Sequence, residues 1–99
     1  MIETLEYQTV AGERADKGIT VYALSTCGFC KRALAWLDAN KFAYRYVHMD
    51  KLPVDQKNEA KRELKERYGQ DVAFPYAVID GEKALVGFVE SDWKSEFGL

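Results

Sequence analysis

The chain has 99 residues, a formal net charge of −2, and an apolar or aromatic side chain at 47% of its positions. This length fits one domain with its own core, and the composition argues against disorder, a nucleic-acid partner and an anionic membrane surface. No apolar run is long enough to span a bilayer, and charged residues interrupt the first 17 positions, where a signal peptide would lie. We therefore expect a monomeric cytoplasmic protein without membrane or nucleic-acid partners.

Residues 1–18 read as an N-terminal extension to a domain that spans residues 19–99. The stretch from Ile2 to Val10 alternates loosely between apolar and polar residues, which predicts an extra edge strand. The stretch from Gly12 to Gly18 is polar and reads as a connection. These patterns predict no function for the extension.

The next segment predicts a strand, a tight turn and a helix. The β-branched and aromatic residues of Ile19–Leu24 (ITVYAL) are typical of a buried strand. Ser25 or Thr26 is expected to cap the helix that follows, which we place at Lys31–Asn40. Gly28 is expected to free the backbone for the turn between the two cysteines, Cys27 and Cys30.

Cys27 and Cys30 are the only two cysteines of the chain and stand at this turn. A C-x-x-C pair between a strand and a helix is typical of a redox site, and it closes too short a loop to stabilise the fold much. Because unpaired N–H groups at a helix start favour a thiolate, we expect Cys27 to have a lowered pKa and to attack, and Cys30 to resolve. A zinc site needs four ligands and only His48 offers another soft donor, so we expect no metal.

The remaining sequence predicts a second strand at Phe42–Met49, a second helix, a hairpin and a closing helix. Asp55 is a good cap for the second helix and Gly69 a good residue to end it. The dipeptide Asp80-Gly81 lies between two apolar runs and predicts a tight hairpin. The closing helix is expected to run from Glu90 or Ser91 to Phe97, and Ser91 can cap it. This order predicts an α/β fold, βαβαββα, with a mixed four-stranded sheet flanked by helices and its first two strands parallel.

Over residues 19–97 the chain resembles the glutaredoxins, which have the thioredoxin-like fold. The resemblance rests on three motifs in the family's order: Cys27-Gly28-Phe29-Cys30, then Phe74-Pro75 before the hairpin, and Val86-Gly87-Phe88 at its end. It implies a dithiol oxidoreductase that reduces protein disulfides or glutathionylated proteins, with glutathione as reductant or co-substrate. It also implies a cis peptide bond before Pro75 and a position of that proline against the two sulfurs.

The resemblance further implies where a substrate would bind. The backbone of Phe74 would pair with the substrate cysteine as a short strand, with Gly87 and Phe88 beside it. The start of the last helix, with Ser91 and Asp92, is where family members hold the γ-glutamyl carboxylate of glutathione. Four further residues next to the sulfurs are implied as supporting ones: Thr26, Gly28, Phe29 and Lys31.

Three positions depart from the usual glutaredoxin pattern. Leu24 stands where the family carries a lysine that contacts the glycyl carboxylate of glutathione. Ala73-Phe74 replaces Thr-Val, and Val86-Gly87, followed by Phe88, replaces Gly-Gly. The Gly-Phe ending is similar to the glutaredoxin-like electron donors of ribonucleotide reductase, which thioredoxin reductase reduces. Glutathione and thioredoxin reductase are therefore both candidate sources of electrons.

Two other classes of function remain open from the sequence. The Cys-Gly-Phe start matches monothiol glutaredoxins that hold a [2Fe–2S] cluster between two chains, although those have serine at the position of Cys30. A cluster needs four ligands, so it would require a dimer or added glutathione. The second class is a noncatalytic domain that binds a partner, whose cysteine pair would be inert and without a low-pKa thiolate.

Overall fold

The computed structural model describes residues 2–99. Its strands, β1 to β5 in chain order, span Gln8–Val10, Ile19–Ala23, Tyr44–His48, Tyr76–Ile79 and Lys83–Val86. Its α-helices, α1 to α3, span Gly28–Ala39, Val54–Tyr68 and Glu90–Phe97. Short 3₁₀ helices lie at Ile2–Thr4 and Met49–Lys51. None of the helices formed by residues 2–99 is both long and apolar enough to cross a bilayer.

The strands form one mixed sheet in the order β1-β3-β2-β4-β5. As predicted, β2 and β3 are parallel and β4 and β5 form an antiparallel hairpin beside them. Asp80 and Gly81 have φ values of 55° and 68°, which suits the tight turn that joins the hairpin strands. The sheet has five strands rather than four, because β1 pairs antiparallel with β3 and covers an edge that would otherwise be exposed.

Backbone hydrogen bonds attach the rest of the N-terminal extension to the domain. The Arg14 N–H donates to the Lys41 carbonyl, and the Ala43 N–H donates to the Arg14 carbonyl, each at 2.8 Å. Gly12 packs so closely that an added Cβ would lie 2.4 Å from the carbonyl carbon of Phe42. Any side chain at position 12 would clash with the backbone of Phe42, so this position requires glycine. The domain boundary after residue 18 stays a prediction.

Two of the three helices start earlier than the sequence pattern indicated, whereas α3 spans Glu90–Phe97 as expected and differs only in its cap. Cys27, not Ser25 or Thr26, is the N-cap of α1, which begins at Gly28 rather than at Lys31. Ser25 does not cap the helix because its hydroxyl donates a hydrogen bond to the Asp50 carboxylate.

The other two helix starts lack a side-chain cap. Asp55 lies inside the first turn of α2, where its charge still suits the helix dipole, and Pro53 takes the N-cap position. Ser91 likewise lies inside the first turn of α3, whose N-cap is Val89. The end of α2 is as predicted, because Gly69 adopts the left-handed conformation with φ of 70°.

The helices cover the two faces of the sheet. On one face, α1 and α3 contribute Cys30, Leu37 and Trp93 to a core with the sheet. On the other face, α2 contributes Ala60 and Leu64. The sulfur pair therefore belongs to the layer formed by α1 and α3.

Candidate active site

Cys27 lies where the loop after β2 meets the start of α1. Its Sγ accepts a hydrogen bond from the backbone N–H of Cys30 at 3.2 Å. Its own N–H donates to the Leu24 carbonyl at 3.3 Å, which closes the loop into a turn. Cys27 is half-buried, whereas Cys30 is only 1% exposed. The helix start thus presents one accessible sulfur and encloses the other.

The environment of Cys30 disfavours its thiolate. Burial is the largest cause that raises the pKa of the Cys30 thiol from 9.0 to about 12, and the hydrogen bond with Cys27 acts in the same direction. Negative charge on Cys27 and on Asp50 adds to the effect. The buried Cys30 therefore favours its protonated form at neutral pH.

Asp50 is a residue of the site that the sequence analysis missed. Its Oδ1 accepts the backbone N–H of Ser25 at 2.9 Å, and its Oδ2 accepts the Ser25 hydroxyl. These hydrogen bonds lower the pKa of the Asp50 carboxyl, and the bond from the Ser25 hydroxyl has the larger effect. The carboxylate thereby holds the loop two residues before Cys27. The predicted parallel pairing of β2 and β3 could have indicated this contact, because an acidic residue just after β3 then lies beside the loop just after β2.

Phe74 and Pro75 lie at the same end of the sheet as the sulfurs. Tyr76, the next residue, pairs with Tyr22 near the end of β2. The Phe74–Pro75 peptide bond is cis, as the resemblance implied. Phe74 and Cys27 both pack against the core cluster that contains Cys30. Within residues 2–99 the backbone N–H and C=O of Phe74 have no hydrogen-bond partner, so both remain available to a ligand.

Gly87 and Phe88 are fixed to this proline and to α3. The Gly87 N–H donates to the Pro75 carbonyl at 2.7 Å, and the Trp93 Nε1–H donates to the Gly87 carbonyl at 3.1 Å. Gly87 has φ of 78°, a value that favours glycine. The ring of Phe88 packs edge-on against Trp93 with 5.1 Å between centroids. The Gly-Phe pair therefore forms a rigid border to the site.

Ser91 and Asp92 are exposed in the first turn of α3. The Asp92 N–H already donates to the Val89 carbonyl at 3.0 Å. The N–H groups of Glu90 and Ser91 are the ones without an acceptor inside the helix, as at any helix start. An anion at this position would therefore be held by Glu90 and Ser91 rather than by the Asp92 backbone.

The supporting residues are mostly exposed. Thr26 and Lys31 face solvent, and Phe29 is 55% exposed with the Arg32 guanidinium 4.8 Å from its ring centroid. Gly28 is an ordinary helical residue, and a Cβ there would meet nothing within 4 Å. The expectation that Gly28 frees the backbone for a turn between the two cysteines is therefore wrong, because the helix already begins at Gly28. Across residues 2–99, no three His, Cys, Asp or Glu side chains gather in a way that could hold a metal ion.

The fold and the sulfur pair define a thioredoxin-like protein of thiol–disulfide redox chemistry. The family model for glutaredoxin matches residues 19–84, which is more than half of the chain. The chain therefore belongs to the glutaredoxin family, whose members are thiol–disulfide oxidoreductases.

Solved structures agree with this assignment. The glutaredoxin from Methanosarcina mazei Go1 is 32% identical, with a TM-score of 0.80 over 96% of this chain and 90% of that one. The methanoredoxin of Methanosarcina acetivorans is 30% identical, with a TM-score of 0.81 over 93% and 96%. The glutaredoxin from Archaeoglobus fulgidus is 27% identical, with a TM-score of 0.64 over 81% and 85%. No curated protein in the comparison matches the chain.

Proposed function

We propose that this glutaredoxin is a dithiol enzyme that reduces protein disulfides or glutathione mixed disulfides through Cys27 and Cys30. One observation carries the proposal: the accessible Cys27 Sγ is hydrogen-bonded by the Cys30 N–H at the start of a helix, beside an enclosed second thiol. The Cys27 thiolate attacks one sulfur of the substrate disulfide, and the bond between the substrate sulfurs breaks. The departing thiolate takes a proton from solvent, and Cys27 is left in a mixed disulfide.

Cys30 completes the reaction after Cys27 has reacted. Charge on Cys27 is one of the causes that raise the pKa of Cys30, and a Cys27 in a mixed disulfide carries no charge. Cys30 therefore loses its proton more readily at this stage. Its thiolate attacks Cys27 Sγ, the Cys27–Cys30 disulfide forms, and the remaining substrate thiolate leaves and is protonated. Two electrons and two protons have then passed from the dithiol to the substrate.

Glutathione fits this site as co-substrate through backbone contacts. The unpaired N–H and C=O of Phe74 suit strand-like pairing with the glutathione cysteine, and the start of α3 suits its γ-glutamyl carboxylate. Leu24 offers no cation to the glycyl carboxylate. Lys31, which has no ion pair with any of residues 2–99, is the proposed substitute. We also propose a reducing compartment, the cytoplasm, as the place of action.

A coupled assay tests the activity and identifies the reductant. NADPH oxidation is followed with a low-molecular-weight disulfide, once with glutathione and glutathione reductase and once with thioredoxin reductase. We expect turnover in at least one system and its loss in Cys27→Ser. The Cys30→Ser variant should retain only the reduction of glutathione mixed disulfides, which needs one thiol. Turnover in neither system, or full activity of Cys27→Ser, would refute the proposal.

The glutathione contacts are tested separately with charge variants. Lys31→Gln should raise the KM for glutathione several-fold, because a charge-assisted hydrogen bond is lost. Lys57→Gln, a change at a half-buried lysine of α2 on the opposite face of the sheet, serves as the control and should leave the KM unaltered. Purified protein that is brown and sediments as a dimer would instead indicate a [2Fe–2S] cluster and count against the dithiol role.

A further inference from the structure

A second concave site lies at the end of the sheet opposite the sulfurs. Gly18 and Ile19, at the start of β2, line it, whereas Cys27 follows the end of β2. The cavity has a volume of about 560 Å³, which is within the range of small-ligand sites. The N-terminal extension forms one side and the sheet the other. Its wall is largely apolar and aromatic: Ile2, Tyr7, Tyr22, Tyr68 and Val78.

Arg45 places an oriented positive charge in this cavity. Its Nε–H donates to the Thr20 hydroxyl at 2.8 Å, and its guanidinium carbon lies 4.0 Å from the centroid of the Tyr7 ring. No carboxylate of residues 2–99 forms an ion pair with it. Since arginine has five N–H donors and only one is used, four remain for a ligand.

The other charges around the cavity leave a positive balance. Glu3 and Arg67, which both line the cavity, form an ion pair, and the Asp80 carboxylate accepts the Gly18 N–H at 2.7 Å. Lys17 lines the cavity and has no ion pair within the described chain. Outside this ion pair, the lining carries two cations, Lys17 and Arg45, and one carboxylate, Asp80. The cavity is therefore positive, although the whole chain has a net charge of −2.

Tyr7 and Tyr68, which are both half-buried, offer rings rather than hydroxyls to a ligand, whereas Tyr22 is only 2% exposed. The Tyr7 hydroxyl donates to the Ile2 carbonyl at 2.6 Å and lies 2.9 Å from the Tyr22 hydroxyl. Their hydrogen bonding is therefore satisfied inside the protein. Apolar contact with the rings and ionic contact with a cation are what the cavity provides.

We propose that this cavity binds a small ligand with a planar apolar ring and a carboxylate or phosphate group. The anionic group lies on Arg45 and Lys17, and the ring lies along Tyr7 and Tyr68. The N-terminal extension exists in part to complete this site. The proposal is independent of the sulfur chemistry, because none of the residues that carry it contacts Cys27 or Cys30.

Titration of the full-length protein with benzoate, phenyl phosphate and inorganic phosphate tests the proposal, with binding followed by calorimetry and by backbone amide NMR shifts. We expect saturable 1:1 binding of one aromatic probe, with shifts at residues 17–20 and 45 and none at residues 27–30. Arg45→Gln should weaken it by roughly tenfold or more, because a charge-assisted contact is lost. The aromatic probe that binds distinguishes a carboxylate ligand from a phosphate ligand.

Arg14→Gln is the matched control. The Arg14 guanidinium also lies over an aromatic ring, 5.5 Å from the centroid of Phe42, but Arg14 does not line the cavity. Both variants should keep the oxidoreductase activity of the wild type. Absence of saturable binding of both aromatic probes, equal weakening by Arg14→Gln, or saturable binding of inorganic phosphate as tight as that of the aromatic probe would overturn the proposal.

Discussion

The enclosed thiol of Cys30 gives the sharpest quantitative prediction. Burial is the chief cause that raises the pKa of the Cys30 thiol from 9.0 to about 12. Since only the thiolate reacts with iodoacetamide, the raised pKa of Cys30 makes the reactive form scarce at neutral pH, and the greater nucleophilicity of a more basic thiolate offsets only part of this loss. In Cys27→Ser the charge of Cys27 is gone, but burial remains. We therefore expect the rate at Cys30 to be at least about tenfold lower in the folded variant than in denaturant.

The assay compares two single-cysteine variants, folded and in guanidinium chloride, by the rate of iodoacetamide alkylation. The Cys30→Ser variant is the control, and its accessible Cys27 should react at least as fast folded as denatured. The sign of the pH dependence follows from the raised pKa. The rate at folded Cys30 should rise about tenfold per pH unit without a plateau below pH of about 11, whereas the denatured rate levels off near pH 9. Equal folded and denatured rates for Cys27→Ser would refute the reasoning.

Three further predictions follow from individual contacts. Asp50→Ala frees the loop before Cys27 and should lower kcat for disulfide reduction about tenfold. Asp50→Asn keeps an acceptor oxygen and should retain most activity, and Asp71→Ala, an exposed carboxylate elsewhere, should change nothing; an equal loss in all three would contradict the role. Gly12→Ala forces a clash and should cost about 1–3 kcal/mol in urea unfolding, whereas Gly18→Ala, with its nearest contact at 3.6 Å, should cost less. Leu64→Ala should cost about 2–5 kcal/mol in the same assay, because a fully buried side chain is truncated.

Local sequence patterns predicted the parts of the fold that depend on local chemistry. Asp80-Gly81 forms the hairpin turn and Gly69 ends α2 because both positions need backbone conformations that few residues adopt. The parallel pairing of β2 and β3 followed from the helix between them. These features needed no knowledge of distant contacts.

The errors arose where a distant residue decides the outcome. Ser25 is as good a cap as any by sequence, but Asp50, 25 positions later, takes both its N–H and its hydroxyl. The sulfur of Cys27 then takes the cap position, so α1 begins three residues earlier than predicted. The edge strand itself was predicted within residues 2–10, but its pairing partner was not, since the loose alternation of these residues does not reveal that β3 has an open edge. Helix starts and edge strands therefore depended on contacts between remote segments.

The central claim is that Cys27 is the sulfur that attacks and Cys30 the sulfur that resolves. The most direct measurement is intact mass with peptide mapping of single-cysteine variants after incubation with glutathione disulfide. We predict that Cys30→Ser accumulates a glutathione adduct on Cys27, that Cys27→Ser accumulates none, and that the wild type ends with a Cys27–Cys30 disulfide. A stable adduct on Cys30 in the Cys27→Ser variant, formed as fast as the adduct on Cys27, would contradict the account.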